Sequence, residues 1–306
     1  LDVRIQQNMS EQEDNDVDEL IQSGVTNESD EKSLGISLDT IKSQIQFHIP
    51  TITEYTIDAD GDINVSRAQL INLTIIHREL TTVNECGFQL WNGCLLLCDY
   101  LLNKPELFEN KTILELGAGI GLTSIIVSRF AELVYCTDYN IELLQIAQQN
   151  IENNLYEIDN KVQIRCLDWL KHSHCLPCTS DLFNWTDKDI VQLNDLEIIL
   201  AADVIYDDQL TDEFFNVLEN FILNYKNVHS IYIAMEKRIN FYVETLSAGC
   251  PQYDYLIQKL EMLNKTLTKN AIEHNIYQIN VENILQCTPY ERTKELILWE
   301  IKIKRQ

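Results

Sequence analysis

Three glycines stand at alternate positions, Gly117, Gly119 and Gly121, separated by Ala118 and Ile120 and placed directly after the apolar run 112–116. Residues without a side chain let the backbone turn tightly and let a ligand reach the peptide groups. A helix starting just behind them would add free N–H groups and a partial positive charge. The spacing is not the Gly-x-Gly-x-x-Gly of dinucleotide folds, and position 122 is Leu. Glu115, two residues before the first glycine, suits a cationic or amino-bearing ligand better than a pyrophosphate.

Three further apolar runs end in the same way. Asp138 follows 133–137, and a carboxylate there can accept both hydroxyls of a ribose. Asp168 and Trp169 follow 161–166; the acid can accept an amino proton of adenine and the indole offers a stacking face. Ala202, Asp203 and Tyr206 follow 197–201. Four strand ends carrying polar or acidic groups on one edge read as a binding crevice. Structural roles stay open beside the functional ones. Trp91 can anchor a helix start, Asp138 can cap the helix beginning near Ile141, and Tyr206 can simply pack. Glu236, Lys237 and Arg238 read as an ion-pair set as readily as a site.

The elements that position these residues are legible from periodicity. Strand and helix alternate from residue 111: strands at 112–116, 133–137, 161–166, 197–202 and 230–235, helices at 122–130, 141–153, 210–223 and 251–267. Such alternation requires a mostly parallel sheet covered on both faces. Two last strands, 276–281 and 294–303, have no clear helix between them and predict an antiparallel edge. A helix is expected over 93–102, apolar along one face. Before it, 44–49 and 70–76 read as strands, and Asp60 and Gly61 as a hairpin turn between short ones. The expected organisation is an acidic, disordered tail over 1–42, a β-rich addition over 43–84, and an α/β domain over 85–306.

Composition narrows the function. The 306 residues carry 23 Lys+Arg against 48 Asp+Glu, a net charge of −25. That balance opposes direct nucleic-acid binding, which needs a basic footprint, and favours a basic partner. Residues 1–40 hold eleven acids and two bases, with no aromatic residue, and so bury too little to offset their ordering entropy. No apolar run reaches the ~18 residues that span a bilayer. The nine cysteines are scattered through apolar contexts, and residues 1–4 lack a signal-peptide pattern. Reduced thiols and a nuclear or cytoplasmic location are therefore expected. His172, His174, Cys175 and Cys178 crowd into seven residues; zinc sites usually take two spaced pairs, and a surface loop is the plainer reading.

Taken together, these residues resemble the seven-strand S-adenosylmethionine-dependent methyltransferases, and within them the protein-lysine methyltransferases of family 16. The resemblance covers about residues 86–303. It is carried by the stretch from Gly87 to Gly93 around Trp91, by Leu114 to Gly121, and by Tyr135 to Asp138. Leu167 to Trp169, Ala202 to Tyr206 and Glu236 to Arg238 complete it. It implies a Rossmann-like sheet with helices on both faces and S-adenosylmethionine as cofactor. It further implies that Trp91 lines the cofactor pocket, and that Glu115, Gly117, Ala118, Gly119 and Gly121 hold the methionine part. Asp138 would hold the ribose, Asp168 and Trp169 would flank the adenine, and Ala202 would lie beside them. Asp203 and Tyr206 would border the substrate lysine. Cys86 departs from the pattern, since relatives tend to carry Thr there. The implied reaction is methylation of a lysine in a non-histone protein, one with a basic segment such as a nucleic-acid-associated protein, by a monomeric enzyme. A catalytically silent module or a small-molecule methyltransferase would carry the same fold.

Overall fold

Alternating apolar residues decide the first elements. The computed structural model describes residues 40–50, 56–57, 63–64, 69–79, 81–154, 161–172, 182–242 and 247–305. Strand β1 (Ile41–His48) pairs antiparallel with β4 (Leu70–His77), and the short β2 (Thr56–Ile57) and β3 (Ile63–Asn64) pair antiparallel between them. Ile71, Leu73 and Ile75 of β4 alternate inward and are buried. The ribbon starts at Ile41, two residues inside the stretch expected to be tail. The remainder of that acidic stretch, the turn residues Asp60 and Gly61, and the His174, Cys175 and Cys178 group lie outside the described residues.

The main body follows the expected rhythm. After α1 (Asn92–Asn103) come β5 (Thr112–Leu116), α2 (Leu122–Val127), β6 (Leu133–Asp138), α3 (Ile141–Asn153) and β7 (Val162–Cys166). Two short helices, α4 (Trp169–His172) and α5 (Asp187–Gln192), lead to β8 (Leu196–Ala202) and α6 (Asp208–Asn224). Then come β9 (Ser230–Glu236), the small ribbon β10 (Asn240–Tyr242) with β11 (Ser247–Gly249), α7 (Pro251–Lys269), β12 (Glu273–Ile279) and β13 (Leu296–Lys304). Helix α2 stops at Val127, short of the expected 130, where the Ser128 hydroxyl donates to the Ile125 carbonyl.

The central sheet has seven strands in the order β12-β13-β9-β8-β5-β6-β7. Strands β5 to β9 run parallel, and β13 runs antiparallel to both β9 and β12. The last two strands form the expected antiparallel edge, and the final strand of the chain inserts between β9 and β12. Side chains alternate between two cores. Ile113 and Cys136 face α1, α2 and α3, while Leu114 and Tyr135 face α6 and α7. The chain leaves β5 toward β6 on one side and later returns to β8 on the other, so the strand order reverses at β5, where open α/β sheets bind their ligands.

The N-terminal ribbon is built into this body. Buried Asn150 of α3 accepts the Ile76 N–H (2.6 Å) and donates to the carbonyls of Ile76 and Ile120 (both 3.0 Å). Asn154 pairs in the same way with Thr74, at 2.9 and 3.0 Å. Two amide side chains one helical turn apart therefore complete the open edge of β4. Replacing Asn150 by Leu strands three buried backbone groups. Asn150→Leu is expected to lower unfolding stability by about 2–4 kcal/mol, read as a lower guanidinium midpoint at unchanged slope.

Candidate active site

The glycine turn between β5 and α2 is shaped by what surrounds it. Gly117, Gly119 and Gly121 have φ of 69°, 53° and 83°, in the left-handed region that glycine enters without strain. A Cβ on Gly119 would stand 2.7 Å from the Gly87 carbonyl oxygen, so substitution there closes a gap the chain keeps open. The Gly119 N–H donates to Asp138 Oδ2 at 3.1 Å, and the Asn140 N–H donates to Oδ1 at 3.0 Å. Asp138 therefore ties the end of β6 to the turn after β5. Burial raises its pKa against the pull of these amides. It is not the cap of α3; the Asn140 side chain does that, accepting the N–H groups of Glu142 and Leu143.

Glu115 sits beneath the turn. It is 2% exposed and accepts the Ser124 hydroxyl at 2.5 Å. Gly121 occupies the N-cap of α2 and has no side chain to cap with, so this buried carboxyl serves the first turn of that helix. Burial pushes its pKa up to about 7, against hydrogen bonds from Ser124 and Thr123. Its partners within the protein are groups of the first turn of α2, which it fixes. Ala118 continues the turn, its N–H bonded to the Thr137 carbonyl at 2.9 Å.

The neighbouring strand ends close the rim. Asp168, after β7, accepts the Leu170 N–H at 3.1 Å and pairs with Lys171 at 2.9 Å. The Trp169 ring packs on Phe214, 5.4 Å between centroids, and lies within 3.4 Å of where a Gly117 Cβ would stand. Trp91 occupies the N-cap position of α1, and its indole N–H donates to the Cys86 carbonyl at 2.7 Å. That bond uses the main chain, so Cys in place of Thr at 86 leaves it intact. The Arg238 guanidinium lies 4.5 Å over the Trp91 ring.

At the end of β8, Asp203 takes φ +54°, a strained conformation for a residue with a Cβ. The Glu236 N–H donates to Asp203 Oδ1 at 3.0 Å; Oδ2 is buried with no hydrogen-bond partner and faces the first turn of α1, where a Gly93 Cβ would stand 2.4 Å away. Burial raises the Asp203 pKa to about 6, against the amides of Glu236 and Gly93 and the Arg238 charge. Ala202 is half-buried just before it. Tyr206 lies beside the Cys86 thiol and near Tyr139 and Asp138, and burial holds its hydroxyl protonated. A cavity of about 210 Å³ opens here between Asp203, Tyr206, Glu236, Arg238, Asn240 and Gln252.

Among the described residues the set Glu236 to Arg238 makes contacts other than ion pairs. Glu236 accepts from Asn92 (3.0 Å) and Thr293 (2.9 Å), Lys237 lies 4.7 Å over the Tyr253 ring, and Arg238 lies over Trp91. Periodicity did not single out Ser124, Asn92 or Thr293. Only Ser124 carries a local signal, a hydroxyl in the first turn of a helix whose N-cap is glycine. Among the described residues no group of three or more His, Cys, Asp and Glu is placed to hold a metal.

A family model described as lysine methyltransferase matches residues 71–247. The chain belongs to this family, and the match begins inside β4. Methyltransferase-like protein 22 from Mus musculus is 34% identical over 84% of this chain and 66% of its own length. The Homo sapiens protein of that name is 36% identical over 75% and 57%. A protein-lysine N-methyltransferase of Saccharomyces cerevisiae, EFM6, is 30% identical over 50% and 65%. The chain thus spans about two thirds or less of the length of these relatives. Among solved structures, a SAM-dependent methyltransferase from Aquifex aeolicus aligns at a TM-score of 0.41 with 16% identity, over 69% of this chain and 92% of that one.

The cofactor that goes with this family is S-adenosylmethionine, and the residues present fit it. Asp138 and Asp168 keep lone pairs for ribose and adenine donors, and Trp91 and Trp169 offer aromatic faces.

The Glu115 carboxyl gives a stability test with a definite sign. Its ordinary pKa of 4.5 becomes about 7 in the folded chain, so the folded state binds this proton more tightly. Stability from this group therefore falls as pH rises from about 4.5 to about 7. Glu115→Gln is expected to be more stable than the parent at pH 8, by about 2–3 kcal/mol, with the difference vanishing toward pH 4. Urea unfolding at both pH values checks it.

Proposed function

We propose that the chain transfers a methyl group from S-adenosylmethionine to a lysine side chain of a non-histone protein. The acceptor presents a basic segment, and nucleic-acid-associated proteins are the class this favours, because they carry Lys-rich stretches and this chain carries −25. The carrying observation is the cavity lined by Asp203, Tyr206 and Glu236 at the ends of β8 and β9, two of the parallel strands of the sheet. The enzyme works as a monomer in the nucleus or cytoplasm; the thiols of Cys86, Cys94, Cys98, Cys136, Cys250 and Cys287, described and in no disulfide, support an intracellular setting.

The cofactor supplies a methyl on a sulfonium, an activated group that needs an aligned nucleophile. Two carboxylates, Asp203 and Glu236, draw the acceptor ammonium to the cavity. Model-peptide Lys titrates near 10.4, so the ammonium must pass a proton to solvent water before its nitrogen can attack, and burial of the side chain favours that neutral form. Tyr206 stays protonated and keeps an oxygen lone pair to receive an N–H, holding the nitrogen in one orientation. Alignment of this kind is worth roughly 7–11 kcal/mol. Phe241 and Ile239, 63% and 54% exposed beside the cavity residue Asn240, offer apolar contact to the acceptor protein.

Incubation of a cell extract with tritiated cofactor tests this. The parent chain should label a protein band at lysine, and Asp203→Asn should lose about 100-fold or more of that rate. Cofactor affinity measured calorimetrically should hold within about threefold in that variant. Because the Asp203 carboxylate forms only above about pH 6, labelling should fall as pH drops through 6. Label appearing only in small molecules, or in no fraction despite cofactor binding, would refute the assignment.

A further inference from the structure

Arg78 follows β4 and is 6% exposed. Its guanidinium forks between two carboxylates, donating to Glu85 Oε1 at 2.9 Å and Glu142 Oε1 at 3.1 Å. The guanidinium also lies 4.0 Å over the Phe88 ring, and the Arg78 backbone N–H donates to the Phe88 carbonyl at 2.8 Å. Glu85 and Phe88 belong to the single 3-10 turn Val83–Phe88, in which the Thr82 hydroxyl donates to Glu85 Oε2 at 2.9 Å. Two groups of the same turn form one wall of the crevice. The Cys86 carbonyl holds the Trp91 indole, and the Gly87 carbonyl stands against Gly119. The ribbon grips the opposite wall too, because Asn150 bonds both Ile76 of β4 and Ile120 of the glycine turn.

We propose that the N-terminal ribbon is a working part of the cofactor site, and that Arg78 is the positioning residue that sets the wall made by Cys86 and Gly87. The chemistry favours Arg at this place. A planar fork can serve two carboxylates and an aromatic face at once, which an ammonium cannot. Buried charge is costly unless paired, so the guanidinium holds both carboxylates and the turn in one arrangement. The inference deepens the proposed function and rests on it for the identity of the ligand.

The two carboxylates provide a matched control. Their side chains are 43% and 47% exposed, but only Glu85 belongs to the wall, while Glu142 lies on α3. Glu85 also accepts the Thr82 hydroxyl, so Glu85→Gln should lower the melting temperature more than Glu142→Gln, and it alone should act at the site. In the full chain, the rate of Cys86 alkylation by N-ethylmaleimide, followed by peptide mass spectrometry, should rise about tenfold in Glu85→Gln and stay within about threefold in Glu142→Gln. S-adenosylmethionine affinity should drop about tenfold in the first variant only. Equal effects of the two variants, or no effect of Glu85→Gln, would overturn the proposal. If Cys86 rates separate as expected while no protein binds the cofactor, the positioning role stands and the proposed function falls.

Discussion

One hydrogen bond organises the crevice: the Gly119 N–H donating to Asp138 Oδ2 at 3.1 Å. It joins the turn after β5 to the end of β6, so two adjacent parallel strands deliver their last residues to one place. The bond requires Gly119 in the left-handed region with no Cβ, since a Cβ there would meet the Gly87 carbonyl. It requires β5 and β6 in register, Leu116 opposite Thr137. The remaining elements maintain these two conditions. Glu115 fixes the start of α2, Asn150 fixes Ile120, and the 3-10 turn bears on the glycine from the other side.

A second theme is the use of buried acids where helices begin. Glu115 serves the first turn of α2, and Asp203 Oδ2 points at the first turn of α1. Neither helix has a capping side chain at its own N-cap, which is Gly121 in one case and Trp91 in the other. Glu115 takes that place in α2 from the neighbouring strand, Asp203 Oδ2 faces α1 without a hydrogen bond, and burial raises both pKa values. The N-cap positions are thereby free for residues the site needs, a glycine that turns the chain and an indole that faces Arg238.

The sheet was legible because its strands are short, apolar and followed by helical periodicity, which admits little besides a covered parallel sheet. The rim residues were legible because they follow those strands directly. What sequence could not carry is partnership across long separations. Asn150 stands on the buried stripe of α3 beside Ile146 and Ala147, a polar residue out of pattern, but nothing local says that its partners are Ile76 and Ile120. Arg78 reads as an ordinary surface base until its contacts with Glu85, Glu142 and Phe88 are seen. The insertion of β13 between β9 and β12 is a topological choice that alternation alone leaves open. Asp138 and Asn140 compete as caps within three residues, and only geometry separates them.

We propose that the seam between β5 and β6 holds S-adenosylmethionine with its ribose on Asp138. Calorimetric titration of the parent chain and Asp138→Ala with S-adenosylhomocysteine tests it most directly. The account predicts one-to-one binding by the parent and a loss of about 100-fold or more in the variant, about 2.8 kcal/mol. Equal affinity in both proteins would contradict it.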